Sequence, residues 1–122
     1  MIYTSYFGKM RKLPKDIITV AICVGVPKWY KGLVYKKVAP TYTMLNDWKV
    51  NHNEERYKCN FKAEILANLS QKQVKEDLLA LTGNAENIAL LCFEKSEEIC
   101  HRHWVAEWLQ EGDIECKEWL EE

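Results

Sequence analysis

Apolar positions in this chain follow two rhythms: short, nearly unbroken runs, and longer stretches with helical spacing. Ile2 to Phe7 (IYTSYF) is rich in strand formers and is punctuated by Gly8. Ile17 to Val24 (IITVAICV) is a nearly continuous β-branched run stopped by Gly25 and Pro27, and Ile88 to Phe93 (IALLCF) is a second, unbroken apolar run that predicts a buried strand. A strand without polar alternation suits burial on both faces, so these two belong at the centre of a sheet. A short edge strand is predicted over Asp113 to Trp119, with Ile114, Cys116 and Glu118 on one face.

Helical spacing appears in four places. Thr41 to Val50 carries Met44, Leu45 and Trp48 behind Thr41 or Thr43 as N-cap, and Arg56 to Asn68 aligns Tyr57, Phe61, Ile65 and Leu66. Ser70 to Gln73 has the capping-box pattern, followed by Val74, Leu78 and Leu81, with Gly83 as the stop. His101 to Gln110 presents Trp104, Val105, Trp108 and Leu109, and Gly112 ends it. The stretch PKWYKGLVYKKVAP reads as irregular. The order β, β, three helices, β, α, β predicts a single α/β domain over residues 1–122. It would be a small Rossmann-like sandwich whose mostly parallel sheet of about four strands is flanked by helices, because parallel neighbours need crossover connections.

Composition narrows the class. The 122 residues, 48% of them hydrophobic, suffice for a core without disulfide staples. Five scattered cysteines with no CxxC pair predict reduced thiols in a cytoplasmic protein. No apolar run reaches the roughly 18 to 20 residues of a membrane span, and the start lacks a secretory h-region. Charge is uneven: residues 1–50 hold nine Lys/Arg against two Asp/Glu, and residues 51–122 hold eight against sixteen. A basic first half can attract an anion, while a pI near 6.3 argues against an extended nucleic-acid partner.

The densest chemistry lies in LLCFEKSEEICHRHWVAEWL, residues 90–109. Cys92 and Glu94 sit at the end of a predicted strand, and Cys100, His101 and Arg102 open the next helix. In open α/β sheets this is the edge where ligands bind. A helix start favours anions and thiolates, so Cys100 beside His101 and Arg102 is the expected nucleophile, with Glu94 as base, orienting group or partner of Arg102. The plain structural alternative makes Cys92 and Cys100 packing residues and Glu94–Arg102 an ion pair. A zinc site from Cys92, Cys100, His101 and His103 departs from the usual spacings, and neither metal nor cofactor is expected. The loops after the first two strands add Ser5, Tyr6, Lys9 and Arg11, and Lys28 and Trp29. Aromatic and cationic groups together suit a phosphate-bearing or nucleotide-derived ligand.

The pattern LLCFEK, then ICHRHWVAEWL, then IECKEW resembles the C-terminal motif of the bacterial and phage family called domain of unknown function 488. There a hydrophobic strand ends in Cys-x-Glu and a Cys-His-Arg triplet opens the next helix, which Cys92, Glu94, Cys100, His101 and Arg102 match position by position. IYTSYF, VAICVGVP and the VAP segment at 38–40 match its short members more loosely. The Asp-Val-Arg strand and proline-rich loop of longer members are missing here. The resemblance implies a Rossmann-like α/β fold and a functional C-x-E…CHR site, and it supplies no substrate.

Three functions follow. The first is a thiol-dependent enzyme acting on a phosphate-bearing or nucleotide-derived small molecule through Cys100, Glu94 and His101, with Arg102 and Cys92 in its site. The second is a non-catalytic binder that sequesters a nucleotide-type signalling molecule, in the manner of phage anti-defence sponge proteins. The third is an interaction module or homo-oligomer with Trp104, Trp108 and Trp119 at its face.

Overall fold

A computed structural model of the chain describes residues 1–93 and 100–120. Five strands, β1 (Ile2–Tyr6), β2 (Ile17–Ala21), β3 (Leu33–Val34), β4 (Asn87–Cys92) and β5 (Cys116–Glu118), form one sheet in the order β3-β2-β4-β1-β5. Every pairing is parallel. The helices are α1 (Tyr42–Asn51), α2 (Glu54–Glu64), α3 (Gln71–Thr82) and α4 (His101–Glu111), with 3-10 turns at Phe7–Lys12, Lys36–Val38 and Leu66–Asn68.

The α/β sandwich predicted from the sequence is present, with five strands rather than about four. β3 lies in the stretch read as irregular: Leu33 and Val34 pair with Val20 and Ala21, and Tyr35 N–H donates to the Ala21 carbonyl at 2.8 Å. The continuous run at β4 is central, as its composition requires, with residues 88–92 all buried.

Register divides the strands between two layers. Ile2, Val20, Ile88, Leu90 and Cys116 face Phe61, Leu66, Val74, Leu78, Trp104, Val105 and Leu109 of the helical layer. Ala21, Ala89 and Leu91 face the opposite way, against Phe7, Leu13 and Tyr30 from the 3-10 turn and loop segments. One layer is thus helical, and the other is closed by short turns.

Local signals fix the helix ends. Thr41, rather than Thr43, caps α1 by accepting from the Met44 N–H at 3.2 Å, and Ser70 caps α3 by accepting from the Gln73 N–H at 3.0 Å. Gln73 completes no capping box, because its amide donates to Asp77 instead. Gly83 ends α3 with φ +68°, a left-handed conformation that costs glycine little. The helix expected over 56–68 stops at Glu64 and tightens into the 3-10 turn at Leu66–Asn68. No helix among the described residues is long and apolar enough to cross a membrane.

Candidate functional site

The chain leaving β2 turns toward β3, while the chain leaving β4 crosses through α4 to β5 on the other side of the sheet. Neighbouring strands whose exits diverge open a crevice at their carboxyl ends, which is where α/β sheets bind ligands. A hollow of about 290 Å³ lies there. Cys23, Val24 and Gly25 reach it from the end of β2, Phe93 from the end of β4, His101 from the start of α4, and Pro40, Tyr42, Leu45 and Lys49 from α1 and its approach. Its size is near the lower end of small-molecule sites, at roughly 300–1,000 Å³. A wider hollow between α1 and α2 contains Asp47 and Arg56, which are bonded to each other.

Beside this crevice, on the helical side of the sheet, a polar cluster is buried. Arg102 has none of its surface exposed. Its Nε and Nη2 donate to the two oxygens of Glu118, each at 3.1 Å, and its Nη1 donates to Cys92 Sγ at 2.8 Å. The Tyr6 ring lies against the guanidinium, 5.5 Å from ring centroid to Cζ. Thr4, also fully buried, donates its hydroxyl to Glu118 at 2.7 Å. A cation in the first turn of a helix opposes the helix dipole. The Glu118 carboxylate, delivered by β5 next to β1, is what makes Arg102 tenable there.

Cys100 is the N-cap residue of α4, yet its side chain accepts no capping hydrogen bond. The thiols were expected to be reduced and separate. The Cys92 and Cys100 sulfurs are not separate but in direct contact, because the end of β4 lies against the start of α4. Their Cα atoms stand 7.5 Å apart.

His101 is nine-tenths or more buried, with Nε2 against the Ile22 carbonyl and Nδ1 3.7 Å from Cys100 Sγ. A carbonyl can only accept, so Nε2 carries the proton and the Nδ1 lone pair faces the sulfur. Burial lowers the His101 pKa from 6.5 to about 4. The hydrogen bond to Ile22 opposes this, and the charges of Arg102 and His103 add to it. His101 is therefore neutral near pH 7.

The expected site residues fall into groups. Cys92, Cys100, His101, Arg102 and Tyr6 come together, and Lys9 lies over the other part of that neighbourhood, 5.8 Å from the Tyr6 ring centroid. Arg11 and Trp29 line a separate open depression with Phe7 and Gly8. Lys28 is exposed, and Ser5 is fully buried, its hydroxyl without a hydrogen-bond partner among the described residues. Glu94 lies outside the described residues. The expected Glu94–Arg102 pairing therefore lies outside the described residues; among the described residues Arg102 bonds the Glu118 carboxylate. No group of three or more His, Cys, Asp or Glu is positioned for a metal among the described residues.

Sequence reasoning missed Glu118, Tyr42 and Lys49. The one available signal was the alternation Ile114, Cys116, Glu118, which puts a carboxylate on the core-facing side of a strand. Such a residue needs a buried cation.

No curated protein and no solved structure matches the chain. A family model, DUF488-N3a, described as the active DUF488-N3 subclade, matches residues 5–113, a span that runs from the end of β1 through α4 and includes the Cys-His-Arg triplet. The chain belongs to the DUF488 family, in its N3a subclade.

Proposed function

We propose that this protein binds a small phosphate-bearing, nucleotide-derived molecule in the crevice between the ends of β2 and β4. The observation that carries the reading is the coincidence of the 290 Å³ hollow with the point where the strand exits diverge. Its wall combines Tyr42 and Phe93, both largely exposed aromatic rings, with the exposed ammonium of Lys49. Such a wall can stack on a ring and neutralise an anion. Neutral His101 supplies a polar floor.

The geometry favours binding over thiol catalysis. Cys100 is 2% exposed, its sulfur is directed at Cys92, and a His101 imidazole kept neutral by burial is a poor acceptor for its proton. Thiol-dependent conversion is the second reading, favoured by the Nδ1 lone pair facing Cys100.

Native mass spectrometry with adenosine and guanosine monophosphates and with inorganic phosphate tests both. The expected result is a nucleotide complex released chemically unchanged and weakened about tenfold or more, some 1.4 kcal/mol, by Lys49→Glu. Unaltered affinity in Lys49→Glu rejects the crevice, and a changed molecule whose formation ceases in Cys100→Ser replaces the binder with the enzyme.

A further inference from the structure

We propose that Cys92 and Cys100 are a reversible two-electron redox couple oxidised by small hydroperoxides, with Cys92 as the attacking thiolate and Cys100 as the resolving thiol. The reading is independent of the crevice ligand. It starts from the two sulfurs, which the fold holds in contact although eight positions separate them in the chain.

Arg102 assigns the roles. Two of its nitrogens donate to Glu118, which fixes the guanidinium plane, and Nη1 is directed at Cys92 Sγ from 2.8 Å. A charge-assisted donor at that distance inside a water-poor site favours sulfur as the anion. Cys100 has no such donor among the described residues; its neighbour is the unprotonated Nδ1 of His101, which accepts from a thiol. One sulfur is thus prepared as thiolate and the other as thiol, the combination that peroxide chemistry uses.

The step balances. The Cys92 thiolate attacks one oxygen of the peroxide, the O–O bond breaks, hydroxide leaves, and Cys92 becomes a sulfenic acid. The Cys100 sulfur then attacks Cys92 sulfur, the S–O bond breaks, and the oxygen leaves as water with the Cys100 proton. The released hydroxide takes up the proton lost when Cys92 ionised. Two thiols and one peroxide give one disulfide and two molecules of water (or, from an organic peroxide, one water and one alcohol), and a dithiol reductant reverses it. Burial of both cysteines, at 0% and 2% exposure, selects an oxidant of a few atoms over a protein disulfide.

The other cysteines serve as internal controls. Cys59 is exposed on α2, whereas Cys116 and Cys23 are buried apart from the pair. Burial pushes the Cys116 thiol up to about 12, and Cys23 Sγ donates to the Gly25 carbonyl at 2.8 Å.

The test uses the whole protein, fully reduced, given one equivalent of hydrogen peroxide, then denatured and alkylated with iodoacetamide. Three alkylated cysteines are expected in place of five, with a dithiol restoring five. Trypsin cuts after Lys75, Lys95 and Arg102, so residues 76–95 and 96–102 should be recovered joined. In Cys100→Ser, the sulfenic acid should be trapped by dimedone on Cys92; in Cys92→Ser, none should form on Cys100. Circular dichroism confirms that each variant is folded. Five alkylated thiols after peroxide, or protection mapping to other cysteines, overturns the couple. Dimedone on Cys100 in Cys92→Ser overturns the assignment of roles. Neither outcome depends on nucleotide binding, which is read separately through Lys49.

Discussion

Replacing Glu118 with Gln asks how far the Glu118 carboxylate holds the buried Arg102 in place. Gln keeps the shape and an acceptor oxygen but removes the charge that meets a guanidinium with no exposed surface. Removing one partner of a buried pair costs about 3–5 kcal/mol. The Glu118 side chain keeps 18% of its surface exposed, so solvent relieves part of this, and a loss of about 2–3 kcal/mol is expected. At about 2.1 cal/mol/K of unfolding entropy per residue, a chain of 122 residues should melt roughly 10 °C lower. The assay is thermal unfolding under a dithiol reductant at neutral pH, so that the cysteine state is held constant. A urea titration with unchanged slope would confirm that the loss is one of stability. Arg102→Met combined with Glu118→Gln should lose less than the two single changes together, since the double variant removes both charges of this pair. A Glu118→Gln protein within about 0.5 kcal/mol of the parent would refute the reasoning, because the pair would then behave like a solvent-screened one.

Two further outcomes are expected. The folded pKa of His101, about 4, lies below its unfolded value of 6.5, so the neutral ring favours the fold above 6.5 and that stability is lost as pH falls toward 4. The loss should be at most about 3 kcal/mol and should disappear from the difference between parent and His101→Gln; parallel pH profiles of the two proteins would contradict it. Ser70→Ala removes the acceptor at the start of α3 and should cost about 1 kcal/mol in denaturant unfolding, whereas Ser70→Asp should cost almost nothing.

Much of the fold was legible because its information is local. Nearly unbroken apolar runs marked β2 and β4, and Ser70 and Gly83 marked both ends of α3. β3 was not legible, because a strand of two residues has no periodicity and exists only through its pairing with β2. Strand order was equally hidden, since nothing in a run of valines and isoleucines names its neighbour. The Cys-His-Arg turn stood out by its residue types, but the partners of its groups depended on topology. Glu118 reaches Arg102 because β5 pairs beside β1, and Lys49 reaches the crevice because α1 packs across its mouth. Cys92 and Cys100 looked like separate thiols because spacing along the chain does not reveal how a strand end and a helix start meet.

The strand order carries a consequence for synthesis. β1 precedes the other strands of this sheet in the chain, yet both of its neighbours, β4 and β5, come after β2, β3 and at least three helices. Until residues 87–118 emerge, Ile2, Thr4 and Tyr6 lack the strands they pair beside, and the growing chain carries β1 unpaired. Contacts that distant in sequence must form late and form slowly. The sheet therefore closes only once β4 and β5 are available, and a chain stalled or truncated before them is a species for chaperones to hold.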